Sequence, residues 1–209
     1  MATRLGLYNA ACRLIGDQSL GSLTEDAERR RTLDQVYSDA LIYALEQGYW
    51  NFAKRTIEAS DVPSVVPVFG FQYAFTKPDD WVRTMMVSGD ARFGTPLREY
   101  EDEHQYWYAN VTPLYVGYVS KDPSYGLDLA QWPMTFTRFV EAHLAAEICE
   151  RTSQNAAKHD LLRKMERARL MDARSKDAMN EPTRFPPSGS WTSSRGGRSN
   201  RSGWNGSLI

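Results

Sequence analysis

Apolar residues recur at helical spacing at both ends of the chain and in short, interrupted runs in the middle. Leu7, Ala10, Ala11, Leu14 and Ile15 fall at i, i+3, i+4, i+7 and i+8, which predicts a helix over about residues 3–15 that Gly16 is placed to stop. Leu33, Val36, Tyr37, Ala40, Leu41, Ala44 and Leu45 form a longer stripe, predicting a second helix over about 25–47 with Thr24 as N-cap and Gly48 at its far end. Glu25, Asp26 and Glu28 open that helix in the sense its dipole favours. Glu25/Arg29 and Asp26/Arg30 at i, i+4 make the Arg29-Arg30-Arg31 run a salt-bridged, solvated face.

From Trp50 the pattern changes to short β-branched and aromatic runs punctuated by Pro63, Pro67, Pro78 and Gly89, which predicts a small antiparallel β-region over about 50–120, with "GDARFG" as a hairpin turn. Pro133 then sits where a third helix (about 133–153) begins. Phe136, Val140, Leu144 and Ile148 follow at four-residue steps, and the adjoining stripe of Phe139, Ala142, Ala146 and Cys149 predicts burial on two sides. A fourth helix, about 156–180, has a narrower line of Leu161, Leu162, Met165 and Ala168, the mark of a peripheral helix. Its Arg163, Arg167 and Arg174, set among Glu166, Asp172 and Asp177, read as solvated surface. The predicted fold is therefore α+β: a bundle of about four helices spanning residues 1–181, with the β-region inserted between the second and third. Leu33, Leu41, Trp50, Phe136 and Leu144 are the predicted core.

Charge separates the end of the chain from this body. The net charge is −1, yet residues 182–209 hold four arginines and no acid, leaving the preceding 181 residues about five charges negative. This segment, closing in "SSRGGRSNRSGWNGSLI", has too few aliphatic residues to offset about 1–2 kcal/mol of backbone entropy per residue, and alone it is predicted to be disordered. Read as a docking arm, it offers Phe185, Trp191 and Trp204 as rigid anchors and Arg184, Arg195, Arg198 and Arg201 as paired donors. The same composition also suits a nucleic-acid tether, in which "RGGR" and Trp204 bind phosphate and stack on bases.

Candidate chemistry is sparse. Cys12 and Cys149 lie outside any Cys-x-x-Cys or Cys/His cluster and read as buried thiols. His104, His143 and His159 lie in no metalloprotease motif, and there is no phosphate-binding glycine loop. His143 and Glu147, four apart on a helix, form one base-and-carboxylate pair of a kind that helices produce by chance. The expectation is a non-enzyme without cofactor or metal. Arg13 interrupts the only apolar run near the start, so no signal peptide is expected, and no stretch is long enough for a membrane span.

Four marks occur in a fixed order: "LYNAACRLIG" with "LTED"; "ALEQGYWNFAKR", with Gly48, Tyr49, Trp50, Asn51 and Phe52; "YAFTKPDDWVRTMMV", with Tyr73, Phe75, Pro78 and Asp80; and "WPMTFTRFVEAHLAAEICERTS", with Trp132, Pro133 and Phe136. Together they resemble the head-to-tail adaptor (connector) proteins of tailed bacteriophages, of the tail tubular protein A type found in short-tailed phages. The resemblance spans about Leu5 to Glu181. It implies a structural protein of the virion's head–tail junction, assembled in the host cytoplasm as a ring of twelve copies under the portal protein. A downstream tail or nozzle protein would lie below, double-stranded DNA would pass through the channel without sequence recognition, and the C-terminal segment would reach onto the portal.

Overall fold

The computed structural model describes residues 1–67, 69–153 and 155–180. Four helices, α1 (Arg4–Ile15), α2 (Glu28–Glu46), α3 (Met134–Ser153) and α4 (Ala156–Met179), form one body. Six strands lie between α2 and α3: β1 (Lys54–Ala59), β2 (Tyr73–Thr76), β3 (Trp81–Ser88), β4 (Tyr100–Asp102), β5 (Tyr106–Ala109) and β6 (Leu114–Ser120). The fold is α+β, as the periodicity predicts. The β-region is not one sheet but two three-stranded antiparallel sheets, ordered β1-β6-β3 and β2-β5-β4. Strand-like runs carry no record of which strands pair at long range, and β1 and β6, joined from Lys54↔Val119 to Ala59↔Leu114, lie far apart in sequence.

Local chemistry sets most helix ends. The Thr3 hydroxyl accepts from the Gly6 N–H at 3.1 Å and caps α1, and Gly16 closes it with φ 80°, a left-handed conformation that glycine adopts freely. Asn155 caps α4 by accepting from the Lys158 N–H. The start of α2 differs from expectation: its N-cap is Ala27, without a side-chain cap. The Thr24 hydroxyl pairs with Ser22 at 2.9 Å, and Glu25 reaches back to the Gly21 N–H at 2.7 Å, so these residues build a turn ahead of the helix. Glu25 does pair with Arg29, but Asp26 pairs with Arg31, and Arg30 turns to Asp34 at 2.5 Å. Asp34 also accepts from the Tyr8 hydroxyl at 2.7 Å and from Arg4, which ties α1 to α2.

Two apolar cores result. The larger gathers α1, α2 and α3 with parts of α4. It includes Leu33, Leu41, Trp50, Phe136 and Leu144, all buried, and α3 lies between α1 and α2 on one side and α4 on the other. The smaller lies in the β-region around Phe75, Val87, Trp107, Leu114, Val116 and Tyr118. Strand β6 serves both, since Leu114, Val116 and Tyr118 enter the smaller core while Val119 enters the larger.

Two polar knots hold the β-region together. Asp80 accepts from Arg55 on β1 at 2.9 Å and from the Tyr118 and Ser120 hydroxyls on β6. Burial works to raise the Asp80 pKa, but these hydrogen bonds outweigh it and hold the carboxyl below its ordinary range. Lys77 is buried with its ammonium 3.9 Å from the Trp81 ring centroid and bonded to the Asp102 carboxylate and the Glu103 carbonyl. The Thr84 hydroxyl, which donates to Asp102 at 2.5 Å, accepts from the Trp81 and Trp107 indoles, so β3 of one sheet is bonded to β4 and β5 of the other.

Trp50 and Phe136 meet in the larger core with ring centroids 4.8 Å apart, and Trp132 also packs on Phe136 at the same distance. Trp50→Ala should cost on the order of 3–5 kcal/mol, a large share of a domain's typical stability. Urea denaturation monitored by circular dichroism measures this, and an unchanged midpoint would contradict the packing described.

Candidate functional site

The "GYWNF" stretch forms the turn by which α2 hands the chain to the β-region. After Gly48 the chain doubles back, so that the Trp50 indole N–H donates to the Ala44 carbonyl at 2.9 Å. The indole lies so close over Gly48 that a Cβ there would stand 2.8 Å from its ring. From β3, Arg83 donates to the Glu46 carbonyl at 3.1 Å and to the Tyr49 hydroxyl at 3.2 Å, with its guanidinium 4.3 Å from the Tyr49 ring centroid. From α4, Arg174 Nε donates to the Gln47 carbonyl at 2.7 Å, and Asp177 accepts from the Asn51 N–H at 3.1 Å. Cationic groups thus sit at the negative end of the α2 dipole, on carbonyls the helix leaves unpaired. A cleft of about 390 Å³ opens beside them, with Tyr49 half exposed on its wall.

A second polar cluster lies between α3 and α4. His143 Nδ1 stands 2.7 Å from Glu166 Oε1, and both side chains are buried. The other Glu166 oxygen accepts from Arg163 at 2.9 Å, and Arg163 also donates to Glu147 at 2.7 Å. The carboxylate partner of His143 is therefore Glu166, not Glu147. On one helix the i+4 carboxylate points outward to Arg163, while packing of α4 on α3 brings Glu166 to the ring. Burial works to raise the Glu166 pKa, but hydrogen bonds from His143 and Arg163 outweigh it and keep the carboxylate ionised below its usual range.

Arg167 and Arg174 lie exposed as expected, Arg174 while bonding to Gln47, whereas Arg163 is half-buried between Glu147 and Glu166. The inner face of α4 carries Leu162, Glu166, Ala173 and Asp177, whereas Leu161, expected in the apolar stripe, is 60% exposed. Cys12 and Cys149 are buried thiols, and burial pushes that of Cys12 upward. Of the residues expected to bind partners, Arg184, Phe185, Trp191, Arg195, Arg198, Arg201 and Trp204 all lie outside the described residues.

No known protein family and no curated protein matches this chain. Among the described residues, no His, Cys, Asp or Glu side chains group as three or more metal ligands, and no helix is long and apolar enough to cross a membrane. Glu166, Arg83 and Asp177 escaped sequence reading because each acts across elements. His143 and Glu166 are 23 residues apart, and Asn51 and Asp177 are 126 apart.

The folded Glu166 pKa lies below the unfolded one, so the unfolded state binds the extra proton and stability rises with pH. The contribution of Glu166 is present above the ordinary value of about 4.3 and is lost as pH falls through its lower folded value. In urea denaturation, the stability gap between wild type and Glu166→Gln should be wide near neutral pH and should close in acid. A gap that stays constant into strong acid would refute the buried ionised carboxylate.

Proposed function

We propose that this protein is a structural, non-catalytic component of a phage virion: a head-to-tail adaptor forming a ring of twelve copies between the portal protein and a downstream tail or nozzle protein. Double-stranded DNA passes through its central channel without sequence recognition. The observation that supports this reading is that the ordered sequence marks coincide with the joints of the fold. "LYNAACRLIG" is α1 and its glycine stop; "GYWNF" is the turn that caps α2 and opens the β-region. "YAFTKPDDW" supplies Lys77 and Asp80 to the two polar knots, and "WPMTF" opens α3, where the chain re-enters the helical body. Marks placed at joints preserve an architecture and not a reaction centre.

The acidic body suits such a conduit, because like charge does not hold moving DNA. The basic segment 182–209 suits attachment. Its arginines and widely spaced aromatics bind a partner groove weakly one at a time, and a ring multiplies that affinity by engaging many arms together.

Electron microscopy of the portal vertex of the virion should place ring density for this chain between portal and tail; a vertex without it refutes the proposal. Deleting residues 186–209 should abolish portal binding after nuclease treatment. Suppose instead that the truncated protein docks as tightly as the full chain, while the full chain retards single-stranded nucleic acid with about a 10²-fold affinity loss between ~50 and ~200 mM salt. The nucleic-acid reading of the segment then replaces the docking one.

A further inference from the structure

A groove of about 440 Å³ runs between α2 and the α3–α4 pair, over the buried His143–Glu166 cluster. Tyr43 of α2 stacks on the His143 ring, with centroids 4.5 Å apart and planes 18° from parallel, and remains 40% exposed. Glu166 takes Nδ1 of this ring, which leaves Nε2 as its second nitrogen. That nitrogen has no protein partner among the described residues, and the ring lines the groove. On the rim, Asp39 is exposed, and among the described residues its side chain is met only by the Ser38 hydroxyl at 3.5 Å. Glu147 is held by Arg163 through Oε1. Arg163 holds Glu147 and Glu166 while Asp39 on the rim has no such partner among the described residues, so the groove combines negative charge with an open aromatic edge.

We propose that this groove is a guanidinium site, and that it takes an arginine from the chain's own segment 182–209. A planar cation with several N–H donors can stack beside Tyr43 while donating to Asp39 and Glu147, a match that a compact ammonium lacks. The segment carries four arginines and no acid to oppose the rim. It follows α4 in the sequence, the same helix that supplies Arg163 and Glu166, and Asn180 lies about 25 Å along that helix from Arg163. Arg195 follows fifteen residues later, an extended reach of roughly 50 Å, which spans the return. Reach and tether decide between this segment and a second copy. Exposed ion pairs are worth about 0–1 kcal/mol each, too little to recruit a free partner at micromolar concentration. A short tether supplies an effective concentration on the order of millimolar. The inference does not rest on the ring reading.

The full chain carrying Ser194→Cys and a nitroxide at that thiol tests this by paramagnetic broadening in NMR, since Cys12 and Cys149 are buried and stay unlabelled. Signals of Asp39, Tyr43 and His143 should lose intensity roughly twofold or more, as expected for partial occupancy at millimolar effective concentration. The loss should be unchanged on tenfold dilution. It should disappear in about 1 M salt, where the Debye length falls to ~3 Å, and in Asp39→Lys, an exposed substitution whose thermal midpoint confirms folding. Absence of selective broadening, broadening that fades on dilution as a second copy would give, or broadening that persists in Asp39→Lys would each overturn the proposal.

Discussion

The way α2 ends governs how the rest of the molecule is assembled. A helix leaves its last carbonyls short of intrahelical donors, and those at the end of α2 are met by groups from elsewhere in the chain. Here the donors come from three places: the Trp50 indole from the following turn, Arg83 from β3 and Arg174 from α4. Satisfying one helix end therefore fixes the positions of the β-region and the last helix together. The small residue at Gly48 is part of the same solution, because the indole can reach Ala44 only by passing where a Cβ would stand.

Beyond this point the structure has two cores, and β6 keeps them from being independent. Leu114, Val116 and Tyr118 fill the β core and Val119 the helical one, so a slip by one residue would drive Val119 out of the helical core and Tyr118 out of the β core. Close packing reinforces the register: a Cβ on Gly117, between Thr56 and Met86 across the sheet, would stand 2.9 Å from Met86 Cγ. The Asp80 and Lys77 knots then bond each sheet at points where apolar packing alone has no directional preference.

What could be read from the sequence divides along the distance over which each feature is decided. Helices α1, α2 and α3, and core positions such as Leu33 and Phe136, are visible in the spacing of apolar residues because periodicity is local. The start of α2 is not legible locally, because Thr24 has the chemistry of an N-cap but pairs with Ser22, while Glu25 accepts from the Gly21 N–H. The inner face of α4 is hidden for the opposite reason. Burying Glu166 and Asp177 is affordable only through partners on α3 and in the turn after α2, which no window along the helix contains. The split of the β-region into two sheets was hidden for the same reason.

The polar inner face of α4 explains more than a buried carboxylate. Leu162 and Ala173 are the apolar residues of α4 that are fully buried, and so short an apolar line discriminates poorly between alternative placements along α3. Glu166 and Asp177 remove that freedom. They are eleven residues apart, about 16 Å along the helix, and each is bonded to a different part of the body, His143 on α3 and Asn51 beyond α2. A one-turn slide would strand both carboxylates at once, and an uncompensated buried charge costs about 3–5 kcal/mol. The two acids act as pins, and the second of them sets α4's last turn against the capped end of α2. The last turn of α4, with Asp177 and Ala178, therefore lies beside Tyr49 and Arg83.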